Sequence, residues 1–283
     1  RIIAITQENQ GLSRSRNRGA DLTVGEYLYF MDSDDFIAPH AMEILYENIR
    51  EKGANLIYGA SVAFYDDKLS ISDLLMAGHL TKPVNLRTVV YDPVVFACSS
   101  DLYSVNVWRF MIQKKFWDSL PFKFIEGCNH EDCEFSNKMI LLASEIAYID
   151  FVFHCYRQRQ DSISYSSLNK ITVSSAVAVA KSLHDFYEDR QFNSDEKTCY
   201  STLISPDILR AVSYRYLYKR DFNKLVEDEI SHTLFHLKAS IRLKHRVMYY
   251  FTHIDIGLAS SFLRLKYSLS RLKMQFKSLF YNK

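Results

Sequence analysis

Glycine and proline are scarce in this chain, at 8 and 5 of 283 residues. Few tight turns can be built from so little of either, which points to long helices joined by few sharp reversals. Cysteine is sparse as well. The five, Cys98, Cys128, Cys133, Cys155 and Cys199, are odd in number and form no Cys-x-x-Cys pair. That pattern excludes a disulfide scaffold and fits free thiols in a reducing compartment. Cys128, His130 and Cys133 lie close enough to invite a zinc site, but the second ligand pair of such sites is missing. No apolar run reaches the roughly 18 residues of a membrane span. No signal peptide opens the chain.

What is present is an ordinary globular balance, 48% hydrophobic and 24% charged, with 19 tyrosines and 19 phenylalanines. A chain of this length can bury a large core as one or two domains. The most telling stretch is Tyr27-Leu28-Tyr29-Phe30-Met31-Asp32-Ser33-Asp34-Asp35. An aromatic-rich apolar run, the mark of a buried strand, stops abruptly in three carboxylates. In open α/β sheets ligands bind just beyond the carboxyl ends of strands. Acids crowded there repel one another unless a cation joins them, and Mg²⁺ is typically held by one or two carboxylates together with substrate phosphates. A metal–phosphate site follows. The competing explanation is a solvated turn capping a helix whose first position is Pro39. An EF-hand is excluded, because Phe36 and Ile37 fall where that loop needs an oxygen ligand and a glycine.

Upstream stands Asn9-Gln10-Gly11-Leu12-Ser13-Arg14-Ser15-Arg16-Asn17-Arg18-Gly19. Together with Gly25-Glu26-Tyr27-Leu28 and the acidic turn, it resembles the core signature of family 2 glycosyltransferases of the GT-A fold. Glu131-Asp132 resembles that family's Glu-Asp motif, and Tyr156-Arg157-Gln158-Arg159 through Ser164 resembles its Tyr-Arg-x-Arg-x-x-Ser-Ile-Ser segment. The likeness covers about residues 1–165. Two family features are absent: an initial Val-Ser-Val-Ile-Ile-Pro type strand and an Asp-Asp-Gly-Ser-Thr-Asp motif. Arg1 to Ile5 looks like the third strand, so the chain is expected to open within the fold, as a fragment or a natural truncation.

The resemblance implies an α/β GT-A domain over 1–165, a Rossmann-like nucleotide-sugar-binding sheet with its first strands missing, followed by a helical region over 166–283. It implies a transferase that moves a sugar from a nucleotide-sugar donor, UDP-linked, to a hydroxyl of a glycan or polyprenyl-linked acceptor, with inversion. Arg16, Asn17, Asp32, Arg157 and Arg159 are the expected donor contacts. Asp32, Asp34 and Asp35 are the expected ligands of Mn²⁺ or Mg²⁺, with His154 a further candidate. Asp132 is the expected base and Glu131 its neighbour holding the acceptor. Both fall on the first turn of a helix, where the helix dipole alone also favours acids. Trp108 is a candidate to stack on the acceptor sugar, although a tryptophan among Val, Phe and Met is ordinarily core. The rival class is an inactive remnant or membrane-associated scaffold.

Locally, Ser13 is the expected N-cap of a helix running through Arg18, and Gly53 the stop of the helix after the acidic turn. Strands are expected at Leu56–Val62 and Ile146–Val152, with Tyr156, Arg157 and Arg159 following the second. Helices are expected at Val173–Tyr187, Pro206–Tyr218, Phe222–Leu237 and Ser240–Phe251. A last helix, 257–283, carries Leu258, Phe262, Leu265, Leu269, Leu272, Phe276 and Leu279 as one apolar stripe. Residues 237–283 hold ten lysines or arginines against one acid, Asp255, whereas the preceding residues hold 25 basic and 32 acidic. A basic amphipathic helix of this kind suits an anionic membrane surface. The alternative is docking on the protein or in a coiled coil. The localisation expected is cytoplasmic and peripheral on the inner face of the cytoplasmic membrane, in polysaccharide, capsule or lipopolysaccharide synthesis. No nucleic-acid partner is expected.

Overall fold

The computed structural model describes residues 2–65, 86–100, 102–158, 169–217, 233 and 236. The chain divides into two compact units, Arg1–Ser167 and Leu168–Lys283.

In the first unit, α1 (Leu12–Leu22) is followed by β1 (Tyr27–Tyr29), β2 (Phe36–Ile37), α2 (Ala41–Lys52), β3 (Leu56–Tyr65) and β4 (Thr88–Tyr91). A short helix at Pro93–Ser99 and a 3-10 turn at Val107–Arg109 lead into β5 (Phe110–Gln113). Helices at Lys114–Ser119 and Glu131–Leu142 then precede β6 (Ile146–Gln158). The strands form one mixed sheet in the order β1-β5-β3-β6-β2, with β4 also on β6. Among the described residues only β3 and β6 run parallel; the other pairings are antiparallel. Between Gly59 and Ser61 the β3–β6 register slips twice, and such irregularities bend a strand. Beyond the slip β6 pairs with β2, placing His154 opposite Ile37 and beside the acidic turn.

The core forms because α2 presents Ile44, Leu45 and Ile49 at helical spacing to Ile57, Ala147, Ile149, Phe151 and Phe153 of the sheet. Each isoleucine, leucine or phenylalanine among them contributes about 1.5–3 kcal/mol through burial. Trp117, Phe124 and Phe135 make a second cluster, with ring centroids 5.1 and 4.3 Å from Phe135.

Several local expectations change. α1 begins at Leu12 after Gly11, whose φ of 85° a glycine takes without strain. Ser13 therefore lies inside the first turn, 3% exposed, and is not the cap. Pro39 is not helical either. Ala41 donates to Ala38 O at 3.1 Å, so Pro39 and His40 are the central residues of a turn, with His40 at φ 63°. That pairing of Pro with a positive φ is a type II turn. Gly53 does stop α2, at φ 67°, its amide bonded to Ile49 O. Residues 2–5 form no strand: Ile2 and Ile3 are 97% and 71% exposed, and no described strand supplies a hydrogen-bond ladder. β6 runs six residues further than expected, because the alternation of Phe151, Phe153 and Cys155 continues the buried face past Val152.

The second unit contains helices at Lys170–Glu188 and Ser194–Leu217. Asn169 caps the first by accepting the Thr172 amide at 2.9 Å. The second starts twelve residues before Pro206, which sits in its interior. Nearby hydroxyls bond back one turn, Thr202 to Thr198 O and Ser205 to Ser201 O. His236 is fully buried here, 2.9 Å from Ser201 Oγ and 3.3 Å from His184 Nδ1. The expected helices Phe222–Leu237 (apart from Thr233 and His236), Ser240–Phe251 and 257–283 lie outside the described residues. Among the described residues no helix is long and apolar enough to cross a membrane.

Candidate active site

The three arginines of α1 diverge, because residues two apart on a helix point about 200° from one another. Arg14 and Arg18 face outward, toward Glu126 at 3.9 Å and Gln7 at 2.7 Å. Arg16 turns inward with Ser13 and Ala20, its side chain only 9% exposed. One prong of its fork, Nη2, donates to Asp32 Oδ1 at 2.8 Å; the other, Nη1, donates to Glu131 Oε1 at 2.6 Å. The guanidinium also lies 5.4 Å from the Phe124 ring centroid. A single cation thus joins the acidic turn after β1 to the acids opening helix Glu131–Leu142.

The next residue, Asn17, was expected at the donor. Instead its amide is consumed by the backbone of Phe124, donating to the carbonyl at 2.9 Å and accepting the amide at 3.0 Å. It anchors the loop that leads to Glu126 and Glu131.

Below the acidic turn lies a buried chain of three side chains. Asp35 accepts from the Arg157 amide at 2.8 Å and lies 2.8 Å from His154 Nε2. Tyr29 OH lies 2.6 Å from His154 Nδ1. Burial, with Asp35 and Asp32 adding to it, pushes the Tyr29 phenol well above its ordinary pKa. The phenol therefore stays protonated beside Nδ1, while Nε2 faces Asp35. Burial and Asp35 also push the Cys155 thiol up to about 11. Both ring nitrogens of His154 are occupied, and its side chain is completely buried. The expectation that His154 ligates metal is corrected on that ground. Asp35, also fully buried and bonded through both oxygens, is likewise a structural support and not an outward ligand.

The other two acids of the turn are Asp32 and Asp34. Arg16 holds Asp32 through Oδ1, yet 30% of that side chain is exposed. Asp34 is half-buried on the same turn. Two hard carboxylates at the end of a strand fit Mg²⁺ or Mn²⁺, which fill their other positions with phosphate and water. Among the described residues no group of three His, Cys, Asp or Glu is placed to hold a metal by itself, and this includes Cys128, His130 and Cys133.

Glu131 and Asp132 do open their helix, after His130 at φ 65°. Glu131 is buried against Arg16, whereas Asp132 is half-buried. Asp132 Oδ1 accepts the Cys133 amide at 2.9 Å, and Oδ2 stands 3.5 Å from Asn106 Nδ2. Asn106 gave no signal in the sequence, being one polar residue before Val107-Trp108. Trp108 is 7% exposed, its indole stacked 4.2 Å from His154 and 5.6 Å from Tyr156. So little surface is left that the sugar-stacking expectation gives way to a role in holding His154. Arg157 projects from β6 over Phe64, 5.6 Å from its centroid. Arg159 lies outside the described residues.

Residues 1–116 match the model for Glycosyl transferase family 2. Glycosyltransferase GlyA of Streptococcus pneumoniae is 27% identical over 165 residues, covering 58% of this chain and 23% of that protein. Glycosyltransferase GlyG of the same organism is 25% identical over 167 residues, covering 58% and 54% respectively. The chain thus spans about half or less of the length of these two relatives. Among solved structures, S. aureus TarS 1–349 in complex with UDP-GlcNAc superposes with a TM-score of 0.61 at 15% identity, covering 94% of this chain and 74% of that one. That last likeness is one of fold.

Proposed function

Because the chain carries a family 2 glycosyltransferase domain of the GT-A fold, we propose that it transfers a sugar from a UDP-linked donor to a hydroxyl of a glycan or lipid-linked acceptor, with inversion at the anomeric carbon. The observation that carries this reading is the Arg16 fork, which holds Asp32 and Glu131 to one guanidinium. An acidic turn serving only as a helix cap has no need of an arginine that also grips Glu131. The TarS complex with UDP-GlcNAc supports a UDP-linked donor.

In this proposal Asp132 takes the proton of the acceptor hydroxyl as its oxygen attacks the anomeric carbon. Asn106 orients the Asp132 carboxylate, and Glu131, fixed by Arg16, holds the first helical turn in place. Asp32 and Asp34 hold Mn²⁺ or Mg²⁺, whose chemistry is to neutralise charge on the departing nucleotide diphosphate. Arg157 and Arg159 offer planar forks to the diphosphate oxygens. Asp35, His154 and Tyr29 keep the acidic turn at a fixed height over β6. The apolar stripe of 257–283, with its lysines and arginines, is proposed to hold the enzyme on an anionic membrane, in a bacterial surface-polysaccharide pathway.

The test is release of UDP from a panel of UDP-sugars, with and without a chelator. Wild type should release UDP, chelation should abolish release, and Asp34→Ala should lose it while keeping its circular dichroism spectrum. UDP release that is indifferent to both treatments would overturn the metal assignment.

A further inference from the structure

Arg109 belongs to the same short turn as Asn106, the residue that touches Asp132, and its contacts differ in kind from those of Arg16. It closes the 3-10 turn Val107–Arg109, its amide donating to Asn106 O at 3.1 Å. The side chain is half-buried. Nε donates to Gly59 O at 3.0 Å, and the guanidinium carbon stands 4.4 Å from the Tyr58 ring centroid. Burial draws its pKa below the ordinary arginine value, with Tyr58 and Tyr148 opposing the shift.

Among the described residues, no carboxylate lies within ion-pair distance of this guanidinium, and its two terminal nitrogens make no hydrogen bond. Arg16, by contrast, has a carboxylate on each prong. A charge drawn partly out of water costs free energy unless an opposite charge joins it. The ring of Tyr58 occupies the flat face of Arg109, and Gly59 O occupies Nε. What remains is the pair of terminal nitrogens, the edge that grips an oxyanion with two parallel hydrogen bonds.

The location decides which oxyanion is meant. Asn106, at the other end of the same turn, is the residue that touches Asp132. Three residues of 3-10 helix rise about 6 Å, so the backbones of Arg109 and of the residue that touches the base lie about one sugar or phosphate unit apart. We propose that Arg109, backed by Tyr58, is a subsite for an oxyanion carried by the acceptor next to its attacking hydroxyl, a phosphate ester or a carboxylate. The identity of the ligand as an acceptor rests on the transferase reading; the oxyanion site itself does not.

Two measurements test it. In the first, the full chain is modified with phenylglyoxal in the presence and absence of inorganic phosphate, and the modified arginines are mapped by mass spectrometry. Phosphate should slow modification of Arg109 by about tenfold or more, the order of a charge-assisted pair; equal rates would overturn the site. This arm needs no variant and no turnover, so its result stands whether or not the transferase reading does. The second compares transfer to glycerol against glycerol 1-phosphate, and to glucose against glucuronate. Wild type should favour one charged member by at least about tenfold in kcat/KM, and which pair shows it separates phosphate from carboxylate. Arg109→Gln should erase that ratio and Arg109→Lys should restore part of it. A wild type indifferent to charge, or a ratio kept by Arg109→Gln, would remove the acceptor assignment.

Discussion

Arg16 Nη1 stands 2.6 Å from Glu131 Oε1, a contact made across 115 residues of chain with both side chains 9% exposed. Removing the cation leaves a buried carboxylate without its partner. Arg16→Ala should therefore destabilise the first unit by roughly 3 kcal/mol, the order seen when one member of a buried pair is deleted. Arg16→Met combined with Glu131→Met should recover most of that loss. Urea unfolding followed by fluorescence of the two tryptophans, both in this unit, is the measurement. If the double variant is no more stable than the single one, Arg16 is held by its other contacts.

Asp132→Asn keeps the side-chain volume and removes the proton acceptor, so kcat should fall by about 10² or more. UDP affinity should stay near the wild-type value. Glu131→Gln, which weakens only the Arg16 contact, should cost less in kcat and more in unfolding free energy. A reversed ranking in kcat would make Glu131 the base.

How far the site was legible depends on the length scale of each feature. The acidic turn, the acids at the start of helix Glu131–Leu142 and the Gly53 stop are local patterns, written within a few residues. The Arg16 fork is not local. Nothing near Arg16 says which two of the many acids it meets, and α1 offers three arginines of equal chemistry. His154 is opaque for a related reason. A histidine beside a strand is open to either role until both its nitrogens are traced to Asp35 and Tyr29. The β6 extension was legible in the alternation through Cys155, but Asp150 and His154 obscured it.

His236 gives the second unit a pH dependence. Burial, with His184 adding to it, pushes its pKa down to about 3, against 6.5 for an unhindered histidine. The folded state thus resists a proton that the unfolded state accepts. Stability should be flat above pH 6.5. Below it, stability should fall by up to about 1.4 kcal/mol per pH unit as far as pH 3. Ser201, His184, Tyr187 and Tyr200 face the ring, and His236→Gln should flatten the slope. Far-UV circular dichroism in urea, from pH 7 to 4, reads it; parallel losses in both proteins would assign the effect elsewhere.

The stripe from Leu258 to Leu279 should bind anionic vesicles better than neutral ones. Each lysine or arginine contributes about 1 kcal/mol near such a surface, and salt screens it. Binding should weaken at high salt without vanishing, because the apolar face remains. Deleting 257–283 should move the protein to the soluble fraction in vesicle flotation. Equal flotation of both forms would mean that this segment does not carry the attachment.

The slip in register at Gly59 makes the sheet sensitive to a single methyl group. A β-carbon placed there would stand 2.6 Å from Phe153 Cε1 and 3.2 Å from Ile149 Cγ2, well inside contact distance for carbon. Phe153 cannot yield quietly. It packs edge-on to Tyr29, with centroids 6.0 Å apart, and its chain neighbour is His154. Gly59→Ala would thus act like a wedge driven between two parallel strands, its push arriving at Asp35 through Phe153, His154 and Tyr29. An exchange that adds one carbon, far along the chain from every acid in the site, would throw the acidic turn out of alignment.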